Sequence, residues 1–292
     1  MIGVDWGTSA FRAFRLAADG HVLGRRSAPR GILHLAAGSF AEALREEIGA
    51  WLAEGETRVL LSGMIGSRQG WVEAPYLPCP AGAAELAATL VPVPFGAARV
   101  LLVPGLSDLD DAGTPEVMRG EETQIVGLLP RLGEEAIACL PGSHSKWARV
   151  AGGRITAYRT YLSGEAFAAL RGGTILGRMM KDGPTDTAAF DRGVARAAEP
   201  GHLLHHLFGV RTLGLFGELA DTESASYLSG LLIGHEVRAA RPQGHTVHLI
   251  GAATLCVLYA RAIEACGGEA VIEDEDAAAR GLALIGRSAA WN

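Results

Sequence analysis

One order of elements occurs twice along this chain, and few folds are built that way. At the start, Ile2 to Asp5 is apolar up to an acidic end, Gly7-Thr8-Ser9 makes a turn, and Ala10 to Leu16 returns as a second strand. Asp19-Gly20 is a hairpin turn that leads into a third strand, His21 to Arg26. Ser39 followed by Glu42 reads as a capping box, and Phe40, Leu44, Ile48, Trp51 and Leu52 then share one helical face. Farther along, Ile137 to Leu140 is an apolar strand, Pro141-Gly-Ser-His-Ser145 a turn, and Lys146 to Val150 a strand. Gly152-Gly153 turns the chain into Arg154 to Tyr161, and Gly164 to Leu170 is helical in character. Two β-β-β-α units thus stand in one chain, each with a glycine-and-hydroxyl turn between its first two strands. The two sequences are unlike, so what repeats is architecture.

Between the units, Arg58 to Leu61 and Arg99 to Val103 read as strands, and Asp108 to Pro115 as a surface linker. After the second unit come a helix from about Thr222 to Arg238, a strand at Val247 to Ile250 broken by Gly251, and a helix over Thr254 to Ala265. A strand at Ala270 to Ile272 and a helix over Asp276 to Ile285 follow. With 292 residues, an α/β chain of this order is expected to form two lobes with separate cores. A net charge of −6 argues against nucleic acid and anionic membranes as partners, so an anionic ligand must be held by locally placed donors. No apolar run reaches transmembrane length, and the four cysteines lie far apart, which fits a reduced, cytoplasmic protein. His202, His205 and His206 lack Cys or carboxylate partners at ligand spacing and read as a solvated helix face rather than a metal site. No G-x-G-x-x-G string opens the chain, which disfavours NAD.

The chemistry concentrates at the turns. Gly7, Thr8 and Ser9 can aim backbone N–H groups into one concavity suited to phosphate oxygens. Asp5 at its lip would repel a bare phosphate but could hold Mg²⁺ beside one; the plainer reading is a turn aspartate in a hairpin. Gly142 and Ser143 occupy the equivalent turn of the second unit, so two such turns could grip a polyphosphate. The strand ending at Leu61 runs into Ser62-Gly-Met-Ile-Gly-Ser-Arg-Gln-Gly-Trp71, a strand-end loop of the kind that carries ligand contacts.

Asp5-Trp-Gly-Thr-Ser-Ala-Phe-Arg12 resembles the first phosphate loop of the sugar-kinase, Hsp70 and actin superfamily. Pro141 to Ser145 takes the place of its second phosphate loop, and Leu249-Ile-Gly-Ala-Ala253 resembles its adenosine motif, in the order that superfamily uses. Within it, four strings resemble the 2-dehydro-3-deoxygalactonokinase family: Ser27 to Leu33, Gly63 to Tyr76, Met118-Arg-Gly-Glu-Glu-Thr-Gln124, and Leu140 to Trp147. With Thr212 to Phe216 and Tyr227 to Gly234, the resemblance covers essentially the whole chain.

The resemblance implies a two-lobed actin-like (ribonuclease H-like) ATPase fold, with a first lobe over residues 1–118, a second over 119–275, and a C-terminal helix at about 276–292 returning to the first. It implies ATP and Mg²⁺ as cofactors and a cleft that closes over 2-keto-3-deoxygalactonate to form its 6-phosphate. Gly7, Thr8, Ser9, Arg12, Gly142, Ser143, Gly251 and Ala252 are then expected at the nucleotide and its phosphates, and Asp5 at the metal. In related kinases the general base follows a glycine at a helix start; Glu121 of Gly120-Glu121-Glu122 matches, with Glu122 in reserve, while both glutamates could instead simply favour a helix N-terminus. The acid's carboxylate calls for a placed cation, for which Arg68, Arg30 and Lys146 compete, Arg68 first because Trp71 and Tyr76 lie near it in sequence. Met64, Gly66 and Ser67 join them as expected substrate contacts; Lys146 could meet the transferred phosphate instead, and His144 a ligand or only its own turn. A kinase for 2-keto-3-deoxygluconate and a non-catalytic nucleotide or sugar sensor are the rival readings. The oligomeric state stays open, with a homodimer compatible.

Overall fold

Burial on both faces makes the first strand an interior one: every residue of Ile2–Trp6 (β1) is buried. Phe11–Leu16 (β2) and Val22–Ala28 (β3) follow it as an antiparallel meander, Phe40–Ala53 (α1) comes next, and Arg58–Ser62 (β4) returns parallel to β1. This is a computed structural model, and it describes residues 1–36, 38–242 and 244–291. The chain divides into two units: residues 1–135, 148–159 and 274 onward form unit 1, and residues 136–147 and 160–273 form unit 2.

Unit 1 continues with Tyr76–Pro78 (β5), Ala83–Ala88 (α2), Val91–Val93 (β6), Arg99–Leu102 (β7), Gly105–Leu109 (β8), Pro115–Met118 (β9) and Glu121–Val126 (α3). Its main sheet runs β3-β2-β1-β4-β7-β6, and β5-β8-β9 make a smaller one. The core beneath the main sheet is anchored by Trp6, fully buried, edge-to-face on Phe11 at 4.9 Å, with its indole N–H donating to Arg30 O at 2.7 Å. Phe40, Leu44 and Ile48 of α1 enter that core as the helical spacing predicts, with Trp51 and Leu52 packed at its margin.

Later elements are Glu135–Leu140 (β10), Ser145–Ala151 (β11), Arg154–Tyr161 (β12), Ser163–Gly173 (α4), Thr187–Arg196 (α5), Leu203–Leu215 (α6), Ser224–Ala240 (α7), Thr246–Leu249 (β13), Ala253–Ala265 (α8), Glu269–Ile272 (β14) and Ala277–Ser288 (α9). The second sheet runs β12-β11-β10-β13-β14. Counted from the first strand of each repeat, both sheets therefore run third, second, first, fourth; the second then adds β14, while the first adds β7 and, beyond it, β6. The repetition seen in the sequence is a repetition of topology. No described helix is long and apolar enough to cross a membrane.

Three expectations are corrected. Asp108 to Pro115 is no linker but the turn and flanks of the β8–β9 hairpin, where Asp110 Oδ1 accepts from the N–H groups of Ala112 and Thr114 at 2.9 and 2.7 Å. An aspartate that closes its own turn looks, in sequence, like a polar linker. Ser39 makes no capping box: at φ −89°, ψ 1° it lacks the extended conformation a capping hydroxyl needs, and its Oγ donates back to Ala36 O. His206 is not on a solvated face; it is buried, with Nδ1 3.0 Å from His235 Nε2 and Nε2 3.2 Å from Pro200 O, whereas His202 and His205 are exposed.

In unit 2, α5 and α7 meet backbone to backbone. A Cβ on Gly230 would lie 2.0 Å from Phe190 O, and one on Gly193 would lie 2.2 Å from Tyr227 O. No rotamer relieves a clash with a carbonyl. Gly230→Ala should therefore cost about 1–3 kcal/mol, read as a lowered thermal midpoint. Gly172→Ala in α4, where a Cβ meets nothing within 4 Å, should be neutral or stabilising. Equal midpoints for the two variants would show that the helices can slide apart at no cost.

Candidate active site

The acidic end of β1 meets the start of α3 in one corner of unit 1. Asp5, 8% exposed, pairs across the hairpin with Arg12 on β2 and stands in register with Ser62 on β4. At Gly63 the chain turns at φ +98°, and a Cβ there would sit 2.7 Å from Trp6 O and 3.3 Å from Asp5 Oδ1. Gly120, at φ +106°, has its own absent Cβ 3.0 Å from Gly63 Cα. Two glycines thus let the α3 start press against the β4 end, and Ser62 Oγ and Thr123 Oγ1 share a hydrogen bond of 2.7 Å.

The adjacent glutamates part company here. Glu122 is fully buried; it accepts from Gly120 N at 2.6 Å and from the Thr123 hydroxyl at 3.1 Å. Burial, and then the neighbouring charge of Glu121, push its carboxyl up to about 8. Glu121 is half-buried, and its Oε2 accepts from Arg119 N at 3.0 Å. Because Glu122 titrates above the ordinary 4.5, between about pH 4.5 and 8 the native protein keeps a proton that the unfolded chain has lost. Its contribution to stability is full below that window and falls as pH rises through it, by up to about 1.4 kcal/mol per pH unit. Urea unfolding from pH 5 to 8 should show this slope in the parent chain and its loss in Glu122→Gln. Parallel profiles would mean that Glu122 is ionised in the fold.

The loop after β4 spreads its residues over several environments. Gly66 is buried, Met64 and Ser67 are half-buried, and Trp71 packs at the edge of the core, edge-to-face on Phe95 at 6.1 Å. The Arg68 side chain is 87% exposed and pairs with Glu73 at 3.0 Å. Arg30 pairs with Glu46 and Glu47, which raise its already high pKa. Tyr76 lies over a guanidinium that reading the residues one by one did not single out, that of Arg119, at 4.3 Å. In the β1–β2 turn, Gly7 N donates to Ala10 O, and the carbonyls of Gly7 and Thr8 accept from Ile32 N and Leu33 N at 3.0 and 3.2 Å. Thr8 and Ser9 are exposed on that fixed turn.

Unit 2 builds its counterpart around Gly142. A Cβ on Gly164 would lie 2.3 Å from Gly142 O, so α4 begins directly against this turn, while a Cβ on Gly142 itself meets nothing within 4 Å. Ser143 is exposed, and His144 pairs with Glu165 at the surface. Beneath the turn, Ser145 Oγ is 2.7 Å from Tyr259 Oη, and Glu236 accepts from Tyr259 at 2.9 Å and from the Trp147 indole at 2.8 Å. Burial raises the Glu236 carboxyl. Lys146 is buried, with Nζ donating to Thr160 Oγ1 at 2.9 Å. Gly251, at φ +153°, would place a Cβ 3.4 Å from Pro141 O, and Ala252 caps α8. A cavity of about 290 Å³ opens beside these segments, lined by Gly142, Ser163, Phe167, Leu255, Leu258 and Tyr259 among others. The histidines of α6 line none of this, and no group of three or more His, Cys, Asp or Glu side chains is placed to hold a metal among the described residues.

Residues 5–285 match the family model described as 2-keto-3-deoxy-galactonokinase. The 2-dehydro-3-deoxygalactonokinase of Escherichia coli is 33% identical over 91% of this chain and 90% of its own. A crystal structure from Sinorhizobium meliloti, assigned to the same kinase, superposes with a TM-score of 0.88 at 35% identity, over 98% of this chain and 97% of that one. The ADPNP-bound activator of 2-hydroxyisocaproyl-CoA dehydratase from Clostridium difficile shares the fold alone, at TM-score 0.54 and 12% identity over 98% and 94% of the two chains. The expected actin-like ATPase fold is therefore present.

Proposed function

The chain belongs to the 2-keto-3-deoxy-galactonokinase family, and from that membership we infer that it is a carbohydrate kinase, a transferase that moves a phosphoryl group from ATP to 2-keto-3-deoxygalactonate. The whole-chain family match carries this reading. Within it we propose the terminal hydroxyl as acceptor and the 6-phosphate as product, made in the cytoplasm.

The cavity in unit 2 suits the adenosine of ATP: its walls include Phe167, Leu255 and Leu258, apolar surfaces for a base, with Ser163 and Tyr259 as polar neighbours. The open space before Gly142 leaves room for phosphate oxygens to approach backbone N–H groups. In unit 1, Asp5 suits a magnesium ion, which is held by few carboxylates and keeps several waters; bound there, it would neutralise charge developing on the phosphoryl oxygens. Arg12 holds the Asp5 carboxylate in place. Glu121, the half-buried member of its pair, accepts the proton of the attacking hydroxyl, while Glu122 stays in the interior and fixes the start of α3. Gly63 and Gly120 keep Asp5 and that helix start close.

The test is ADP release with Mg-ATP across a panel of 2-keto-3-deoxy sugar acids. The galacto acid should give the highest kcat/KM. A clear preference for the gluco epimer would transfer the substrate, and no turnover with any acid would leave a non-catalytic sensor.

A further inference from the structure

Arg119 is a cation that the fold has withdrawn from water and left only partly used. It is 7% exposed. Its Nη2 donates to Ala74 O at 2.7 Å, but Nε and Nη1 are buried without any hydrogen-bond partner among the described residues. Nη1 stands against Gly66, where a Cβ would come within 3.0 Å of it. The next residue, Ser67, carries a hydroxyl that is likewise buried and unpartnered. An unpaired buried donor is costly, and more so when charged, so these three call for an acceptor. The acceptor that would repay a guanidinium most is an anion.

We propose that Arg119 is the cation that takes the carboxylate of the sugar acid, with the Ser67 hydroxyl as a second donor and the Tyr76 ring as a cover that turns aside. The proposal rests on the kinase reading above. Tyr76 is 42% exposed and lies on the guanidinium face, so it can move without disturbing the core. Glycine at position 66 leaves the Nη1 edge free of a side chain. The backbone N–H of Arg119 also holds Glu121, so one residue would tie the carboxylate end of the substrate to the base that meets its hydroxyl end. The other cations are less suited. Arg68 is exposed and paired with Glu73, and Arg30 is shared between two glutamates.

Two variants test this, Ser67→Ala and Arg119→Lys, each assayed for turnover, for calorimetric binding of 2-keto-3-deoxygalactonate, and for thermal midpoint. Removing an orphan buried hydroxyl should leave the midpoint of Ser67→Ala unchanged or higher. Its affinity for the acid should nonetheless fall about 10-fold, as expected for a lost hydrogen bond to a charged group. Arg119→Lys keeps the charge but not the planar fork, and should weaken acid binding by about 10- to 100-fold with the KM for ATP within about twofold of the parent. Unchanged acid binding in both variants, with only the midpoint of Arg119→Lys moved, would make Arg119 a structural cation and overturn the proposal, as would a parent chain that fails to bind the acid. A parent that binds the acid through these residues but never phosphorylates it would sink the kinase reading and leave this site standing.

Discussion

Glu121→Gln should lower kcat by about 10²–10⁴, the range for loss of a positioned general base, while sugar acid and nucleotide still bind within a few-fold of the parent. The amide keeps an oxygen that can accept from Arg119 N, as the carboxylate does at 3.0 Å, so the start of α3 should hold its shape. What is lost is a group able to take a proton from the attacking hydroxyl. Glu122→Gln is the internal control, because its carboxyl is fully buried and bonded to Gly120 N. Steady-state kinetics of both variants, with calorimetry for binding, separates chemistry from affinity. A large kcat loss in Glu122→Gln alone would transfer the role to the buried carboxyl, and small losses in both would place the base outside α3.

Asp5→Asn should reduce turnover by roughly 10²–10³, the scale seen when one preorganised electrostatic partner of a transition state is removed. Asparagine preserves size and can still accept from Arg12, and that guanidinium, 40% exposed, can be rehydrated where the ion pair weakens. The fold should therefore survive, checked by far-UV circular dichroism and an unchanged thermal midpoint. Raising Mg²⁺ should recover part of the lost rate if the carboxylate helps to hold the ion. Near-parent turnover at ordinary Mg²⁺ would return Asp5 to the role of a turn aspartate paired with its neighbour.

Where local chemistry decides the structure, the sequence was legible. Apolar runs ending in Gly7, Gly63 and Gly251 marked strand ends, and both β-β-β-α units could be traced from alternation and turn residues alone. The apolar face of α1 followed from spacing. His206 was misread because packing against His235 of α7 buries it, and the other two failures share a cause: each concerned a polar residue whose partner was chosen by backbone conformation. Ser39 has the composition of a cap but not its dihedral angles, and Asp110 folds a hairpin in what looked like a linker. The short helix α2 offered little periodicity; α5 has an amphipathic spacing, but the glycine contact that seats it lies on α7, far away in the chain.

The candidate site divides along the same line. Its residue types were readable because phosphate cradles, carboxylates and strand-end loops draw on a small set of side chains, and Asp5, Gly142 and the glutamate pair stood out on those grounds. By itself the sequence committed this chain to a duplicated α/β scaffold and to a family of kinases. Only the tertiary structure decided which glutamate faces inward, since residues one apart at a helix start point about 100° away from each other and the packing partner settles which is buried. Only it could also single out Arg119. That guanidinium owes its burial to Gly66, Ala74 and Tyr76, one stretch of chain that lies far from Arg119 in sequence until the fold brings the two together, and desolvation is a property of the neighbours a charge acquires.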